Sequence, residues 1–262
     1  GDRAQEPAMI ALSVNLNKIA LIRNSRDTRI PDIPEHARLC IDAGADGITV
    51  HPRPDQRHIR AQDCLDLAAM LEVEFNIEGN PFTGPRASDR QGVTDYPGFM
   101  ELVKTIGPAQ CTLVPDGDSQ LTSDHGFDIT RDGDRLAPLL QELQALGIRT
   151  SLFMDPDPDQ IRLAAQLGTD RIELYTETYA RAFEGEGDLE AVYAQFRAAA
   201  ETAAECGLGL NAGHDLNLHN LPRFAQIPGL LEVSIGHALT VDALSMGMPA
   251  AVHAYREILN AP

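Results

Sequence analysis

The feature that most constrains the fold of this chain is a regular alternation of short apolar runs with longer segments of helical periodicity. Eight runs predict strands, because each is short and in most of them apolar and polar side chains alternate. The strands are predicted over residues 10–16, 47–51, 74–78, 110–114, 150–154, 171–175, 208–212 and 231–235. Helices are predicted between or after them, over residues 34–43, 62–71, 97–106, 134–146, 157–167, 189–206 and 240–259.

Glycines mark the boundaries between these elements. Four predicted helices end at a glycine just before the next strand, namely Gly44, Gly147, Gly168 and Gly207. Glycine at this position accepts the left-handed backbone that ends many helices. The order strand, helix, glycine, strand is typical of βαβ units and a parallel sheet. Eight strands in 262 residues, with no proline- or serine-rich linker, favour one α/β domain over residues 1–262, a parallel (β/α)8 TIM barrel with a few extra helices.

Composition excludes several functions. The net charge of −18 argues against a nucleic-acid surface, and no segment has the roughly 18 consecutive apolar residues of a membrane span. Four dispersed cysteines without a CxxC pair predict neither structural zinc nor disulfides, and a cytoplasmic location. The first seven residues do not resemble a signal peptide, and we expect residues 1–8 to be a flexible extension.

Polar side chains share one face of several predicted strands, as Thr49 and His51 or Asn76 and Glu78 do. The outer face of a barrel packs on helices, so the polar face is expected to point into the lumen. A satisfied structural network is one interpretation. We favour a catalytic mouth, because acids and histidines recur where barrels place their chemistry, at the carboxyl ends of the strands.

Two cationic clusters follow the first two strands of this acidic chain. The cluster after strand two contains His51, Arg53, Arg57 and His58, and the cluster after strand one contains Lys18, Arg23 and Arg26. The planar fork of arginine suits phosphate, so the clusters predict phosphorylated ligands. The alternatives are arginines paired with nearby acids in the first cluster and a solvated helix face in the second.

Further candidates stand at other strand ends. Glu78 and Glu173 are candidate acid/base groups, and His214 follows strand seven beside small residues. Gly236 and His237 open a helix after strand eight, where free N–H groups bind phosphate in many barrels. The histidines and Glu78 also raise a metal site, but no HxH or HxxxH pair occurs, so we predict no metal. Lys18 leaves a Schiff-base aldolase open, and another phosphosugar enzyme or a non-catalytic phosphometabolite-binding barrel remain alternatives.

The motifs at these strand ends resemble those of the pyridoxine 5′-phosphate synthase family. The resemblance covers about residues 11–259 and rests on segments 14–17, 23–26, 43–51, 57–59, 76–78, 113–115, 211–214 and 235–238. It implies a (β/α)8 barrel in a homo-oligomer, an octamer in the family, that needs no cofactor. It also implies a transferase of vitamin B6 biosynthesis that condenses 3-amino-2-oxopropyl phosphate with 1-deoxy-D-xylulose 5-phosphate to pyridoxine 5′-phosphate, phosphate and water.

The resemblance also implies residue roles. His51 and Glu78 would accept protons, His214 would donate one, and Glu173 would support the transition state. The implied substrate contacts are Asn15, Arg26, Arg53, His58, Thr122, Gly236 and His237. The loop over residues 115–130 has the length and composition of a lid.

Three features depart from the family pattern. Asn17 and Lys18 stand where many members have Asp-His, and we still assign them to substrate binding. Asp215 replaces a common glycine and is also placed in the site, where it would favour the imidazolium form of His214 if it lies close enough. Residues 79–96 form a longer segment than usual, which we interpret as a surface insertion near the mouth.

Overall fold

A computed structural model describes residues 9–260 and shows a closed barrel of parallel strands that are hydrogen bonded in chain order. The strands are β1 (Ala11–Asn15), β2 (Gly47–Val50), β3 (Glu74–Gly79), β4 (Gln110–Leu113), β5 (Arg149–Met154), β6 (Arg171–Tyr175), β7 (Gly209–Gly213) and β8 (Leu230–Ile235). The barrel closes where β1 pairs with β8, with Ala11 opposite Glu232. The predicted fold class and all eight strands are confirmed. The extension predicted over residues 1–8 lies outside the described residues.

Eleven helices accompany the strands within residues 9–260. They are α1 (Asn17–Asn24), α2 (Ile33–Asp42), α3 (Ala61–Met70), α4 (Phe99–Ile106), α5 (Ile129–Ala145), α6 (Pro158–Leu167), α7 (Glu177–Phe183), α8 (Leu189–Glu205), α9 (Leu221–Phe224), α10 (His237–Met246) and α11 (Met248–Asn260). The helix predicted over 240–259 is wrong as a single element, because Gly247 adopts a φ of 84° and ends α10 there. The predicted glycine ends are confirmed, since Gly44, Gly147, Gly168 and Gly207 all have positive φ. No helix among these is both long and apolar enough to cross a bilayer.

The barrel wall separates an apolar outer layer from a polar lumen. Ile48, Ile77 and Ile172 are fully buried in the core between wall and helices. Inside, polar side chains pair between neighbouring strands and, from β4 to β8, across the lumen. The pairs are Ser13 with Thr49 at 2.6 Å, Thr112 with Asn76 at 2.9 Å, Gln110 with Glu232 at 2.9 Å and Arg171 with Asn211 at 3.0 Å. Deep in the lumen, the polar side chains therefore form a satisfied structural network, as in the first interpretation. The polar side chains at the carboxyl ends of the strands remain candidates for catalysis.

The segment over residues 79–96 is only partly a surface insertion. Arg86 and Tyr96 pair as an isolated antiparallel bridge, and the side chain of Gln56 donates to the Thr94 carbonyl at 2.8 Å. Tyr96 is buried in the core, so the end of the segment anchors it against the barrel. Its outer part, around Arg86, is exposed as predicted.

Candidate active site

His51 occupies the centre of the barrel mouth, between two carboxylates. It follows β2 directly and is buried. Its Nδ1 lies 3.9 Å from Oε2 of Glu78, and its Nε2 lies 3.9 Å from Oδ2 of Asp116. Its backbone N–H donates to Oδ1 of Asn17 at 2.9 Å. The mouth thus brings together residues that follow β1, β2 and β4 with one from the end of β3.

Burial sets the protonation of this centre. Desolvation, with the nearby charges of Arg53, His58 and His214, holds the pKa of His51 well below its usual 6.5. Burial also raises the pKa of Glu78 to about 7, where Asp116 adds to the rise while His214 and Arg53 oppose it. At neutral pH, His51 is therefore an uncharged acceptor beside a carboxyl group that is close to half ionised.

Glu173 lies on β6, at the level below this centre. Burial first, and then the charges of Glu78 and Glu232, raise its pKa well above the usual value. The rise favours the protonated form of the carboxyl group over the ionised form. Gly213 on β7 allows this packing, because a Cβ there would lie 3.0 Å from Oε1 of Glu173.

His214 is held in a strained turn after β7. His214 and Asp215 both adopt left-handed backbones, with φ of 74° and 37°. The imidazole Nδ1 lies 3.1 Å from Oδ2 of Asp215, and Nε2 lies 2.6 Å from Oγ1 of Thr122. The ring of Tyr175 meets it edge-on at 5.4 Å. Strain of this kind concentrates at functional sites, and here it fixes the ring between an acid and a hydroxyl.

Asp215 therefore lies next to His214, as the sequence suggested. Burial acts to raise the pKa of this carboxyl group, but the hydrogen bond and charge of His214, with the charge of His237, lower it overall. The carboxylate therefore stays ionised beside the imidazole ring.

The strand ends of β8, β1 and β2 are linked through small contacts. A Cβ at Gly236 would lie 2.9 Å from Cβ of Asn15, so the glycine permits this approach. Oδ1 of Asn15 accepts from the backbone N–H of Asn17 at 2.8 Å, and Asn17 in turn holds His51. His237 is the first residue of α10 and is exposed.

The first cationic cluster is paired with acids in this structure, which is the alternative interpretation. Arg53 Nη2 donates to Oδ2 of Asp116 at 2.8 Å, and Arg57 forms an ion pair with Asp55 at 2.8 Å. Burial lowers the pKa of His58 to about 3, with Arg53 and Arg57 as the next causes, so this ring is neutral.

The three cationic residues of the second cluster lie in different environments. Arg23 is buried in an ion pair with Asp63 at 2.6 Å, so it is neither a solvated helix face nor free for phosphate. Lys18 is half-buried and Arg26 is exposed, and neither side chain is hydrogen bonded within residues 9–260. The charge of Lys18 still acts on His58, and the charge of His237 acts on Asp215.

The loop after β4 crosses the mouth, where a lid was predicted. Arg57 donates from Nη1 to the Gln120 carbonyl at 2.7 Å and from Nη2 to the Asp118 carbonyl at 2.9 Å. Ser123 donates to Asp116 at 2.6 Å, and Thr122 reaches His214 on the far side. The loop therefore spans from the β2 end to the β7 end.

Sequence reasoning missed Asp116 and Ser123. Asp116 follows β4 closely, so the strand-end criterion that selected Glu78 also fits it. Among the residues that the structure describes, no three His, Cys, Asp or Glu side chains are grouped so that they hold a metal ion.

Comparison with solved structures identifies the fold alone. A Mycobacterium tuberculosis tryptophan synthase chain matches with a TM-score of 0.61 at 11% identity, over 97% of this chain and 94% of that chain. A phosphoribosylanthranilate isomerase from Thermotoga maritima matches with a TM-score of 0.54 at 11% identity, over 97% and 100%.

Sequence relatives identify the family. The pyridoxine 5′-phosphate synthase of Xanthomonas axonopodis pv. citri is 55% identical over 253 residues, which cover 95% of this chain and 96% of the relative. The enzyme of the same name from Xylella fastidiosa is 51% identical, over 95% and 94%. The family model of the pyridoxal phosphate biosynthesis protein PdxJ matches residues 12–261. This chain belongs to the PdxJ family.

Proposed function

We propose that the chain is a pyridoxine 5′-phosphate synthase that condenses 3-amino-2-oxopropyl phosphate with 1-deoxy-D-xylulose 5-phosphate by general acid/base catalysis. One observation carries the proposal: at the mouth of the barrel, Nδ1 of uncharged His51 lies 3.9 Å from Oε2 of Glu78, a carboxyl group whose pKa is raised to about 7. The family membership and the names of the relatives support it.

The proposed reaction is a series of additions and eliminations, each accompanied by proton transfers. The amine adds to a ketone with loss of water, phosphate is eliminated from the sugar and water adds in its place, and a carbon–carbon bond closes the ring with loss of two further water molecules. Each step removes a proton from one atom and delivers one to another, and no step changes the overall oxidation level. Groups with separated pKa values suit this work.

We assign the residue roles from the pKa shifts of the site residues and from their contacts. Glu78 and His51 accept protons, because each has an unprotonated form near neutral pH. His214 donates protons, oriented by Asp215 and Thr122. Glu173, whose raised pKa favours the protonated form, donates a hydrogen bond to charge that develops in the reacting molecule.

Two phosphorylated substrates need two anion sites. We assign one to Arg53 and His58 on the β2 loop, with Thr122 from the crossing loop. The other comprises Asn15, Arg26, Gly236 and His237, at the ends of β1 and β8. Asn17 and Lys18 lie between the two, and Asn17 orients His51.

The test is to mix the two substrates with the purified protein and to follow pyridoxine 5′-phosphate and released phosphate, without added metal. We expect both products in equal amounts. His51→Asn should cut turnover by about 10²–10⁴-fold, the scale of general acid/base catalysis. A folded protein that gives no product contradicts the proposal, and product formation that survives His51→Asn, Glu78→Gln and His214→Asn contradicts the assigned roles.

We also propose that the enzyme works in the cytoplasm as a homo-oligomer, an octamer as in the family. Light scattering of the purified protein tests the assembly, and a monomer at micromolar concentration contradicts it. Cell fractionation tests the location.

A further inference from the structure

The ion pair between Arg53 and Asp116 is incomplete. Both side chains are about 95% buried or more, and a single hydrogen bond of 2.8 Å joins Nη2 to Oδ2. Oδ2 also accepts from Ser123 at 2.6 Å. The neighbouring atoms, Nε of Arg53 and Oδ1 of Asp116, are buried without a hydrogen-bond partner within residues 9–260. One donor and one acceptor therefore remain unused at the same contact.

Leaving such atoms unpaired is unfavourable. A buried polar group without a partner costs about 1–3 kcal/mol, more when it is charged. An arginine and a carboxylate usually avoid the cost by forming two parallel hydrogen bonds. Here Ser123 shares Oδ2, and the pair remains single. Unsatisfied groups in folded proteins call for an explanation, and a ligand that completes them is one.

The position of the two atoms defines that ligand. They lie in the mouth, where Oδ2 of Asp116 is 3.9 Å from Nε2 of His51. Arg53 Nε requires an acceptor, and an anionic oxygen is the strongest acceptor for a guanidinium. Oδ1 of Asp116 requires a donor. The charge of Asp116 is already balanced by Arg53, so an uncharged donor such as a hydroxyl group completes the site.

We propose that Oδ1 of Asp116 accepts a hydrogen bond from the hydroxyl group of the phosphorylated pentulose that stands next to its phosphate-bearing carbon, while Arg53 binds that phosphate. The inference rests on the proposed function and adds a substrate-binding residue to it. The chemistry of the two substrates decides between them. Beside its phosphate-bearing carbon, the pentulose carries a hydroxyl group, which donates. The aminoketone carries a carbonyl group there, which only accepts. Asp116 therefore selects the sugar phosphate at the Arg53 side of the mouth.

Both atoms are buried, and Asp116 itself belongs to the loop after β4, so ligand entry requires this loop to move. On this side Arg57 donates to two loop carbonyls and Asn80 donates to the Asp116 carbonyl at 2.9 Å, while Ser123 binds Asp116 within the loop. Ser123→Ala removes the last of these contacts and leaves Oδ1 of Asp116 and its charge in place. This variant separates loop docking from hydroxyl recognition.

The experiment compares two ligands by calorimetry with the full-length protein. One is 1-deoxy-D-xylulose 5-phosphate, and the other is 5-hydroxypentan-2-one phosphate, which keeps the methyl ketone and the phosphate but lacks both hydroxyl groups. We expect the wild type to bind the hydroxylated ligand about 10- to 100-fold more tightly, which is the scale of one hydrogen bond to a charged group. Asp116→Asn still accepts from Arg53 and Ser123 through its single oxygen but presents an amide NH2 in place of Oδ1, so the preference should fall by about tenfold or more.

Matched controls are Ser123→Ala and Asp118→Asn, the latter an exposed acid of the same loop, and both should keep the preference. If Asp116→Asn does not fold, the wild type decides alone: removal of the hydroxyl next to the phosphate-bearing carbon should weaken binding more than removal of the other hydroxyl.

An Asp116→Asn variant with the full preference, or a wild type that loses more affinity with the other hydroxyl, overturns the inference while leaving the synthase intact. A wild type that binds neither ligand and forms no product overturns both.

Discussion

Glu78 shows how one residue sets function against stability. Burial, with Asp116 and Glu232, raises the pKa of its carboxyl group to about 7 in the folded protein, against His214 and Arg53, from an ordinary value of 4.5. The folded state therefore binds this proton more tightly than the unfolded state. The resulting stabilisation is complete below about pH 4.5 and is lost as the pH rises through about 7. The role that we propose for Glu78, to accept a proton, needs the ionised form, which is the form that the fold disfavours.

Glu78→Gln should therefore stabilise the protein at high pH while inactivating it. We expect the free energy of unfolding to rise by about 1–3 kcal/mol at pH 8 and to be nearly unchanged near pH 4.5. Turnover should fall by about 10²–10⁴-fold, and in the wild type kcat/KM should decline as the pH drops below about 7. Urea unfolding at the two pH values and a pH–rate profile measure these effects.

Glu72→Gln is the control, since Glu72 is exposed and should change neither quantity. A Glu78→Gln variant that is less stable than the wild type at pH 8 contradicts the prediction.

Which residues the sequence could identify depended on the kind of contact. His51, Glu78 and His214 stand at strand ends, and the strand pattern alone locates those ends. The residue that pairs with a given arginine cannot be located from the strand pattern. Arg23 meets Asp63 from 40 positions away, and Arg53 meets Asp116 from 63 positions away. Periodicity carries no information on such tertiary pairs, so Arg23 was misread and Asp116 was missed.

At the scale of elements, the mouth depends on how closely strand ends approach one another. The link runs from Gly236 at the end of β8 to Asn15 on β1, and then through Asn17 to the backbone of His51. Each contact is local, yet together they position His51 relative to β8, the strand that closes the barrel against β1.

Gly236→Ala should therefore impair catalysis through this link. The added Cβ would lie 2.9 Å from Cβ and 3.1 Å from Cγ of Asn15, so the asparagine must shift. We expect kcat/KM to fall by about 10²-fold, the scale of a misplacement near 1 Å, and the stability to fall by about 1–3 kcal/mol from overpacking. Steady-state kinetics and urea unfolding measure both. Gly84→Ala, where the new Cβ meets no atom within 4 Å, should behave as wild type. Full activity of Gly236→Ala contradicts the link.

The elements that sequence predicted poorly are short or begin inside other patterns. The helices α7 and α9 have seven and four residues, which is too short for a helical period to stand out. The helix α1 starts two residues after β1, directly after the predicted strand, which ran to residue 16. Long helices and alternating strands were found because burial repeats in them many times.

At the scale of the whole molecule, the last helix holds the start of the chain. Arg256 on α11 is buried and donates from Nη2 to the Ile10 carbonyl at 2.8 Å, just before β1. Its Nη1 donates to Asp46, which also accepts from the backbone N–H of Leu12 at 2.8 Å. These contacts lie at the amino ends of β1 and β2, opposite the mouth. The last helix is therefore bound both to the start of β1 and to the residue before β2.

Arg256→Met should destabilise the barrel without altering its chemistry. The substitution keeps an apolar stem but leaves the Ile10 carbonyl and Asp46 without their cation, so the free energy of unfolding should fall. Breaking a buried pair costs about 3–5 kcal/mol, and Asp46 is 40% exposed, which reduces our expectation to about 2–3 kcal/mol. Urea unfolding at pH 7 measures the loss, and turnover per folded molecule should stay unchanged because the contact is remote from His51. Arg197→Met, which breaks an exposed pair with Glu201 on α8, should cost less than about 0.5 kcal/mol. Equal stability of the two variants would show that α11 does not hold the barrel closed, and reduced turnover in folded Arg256→Met would show that the two ends of the barrel are coupled.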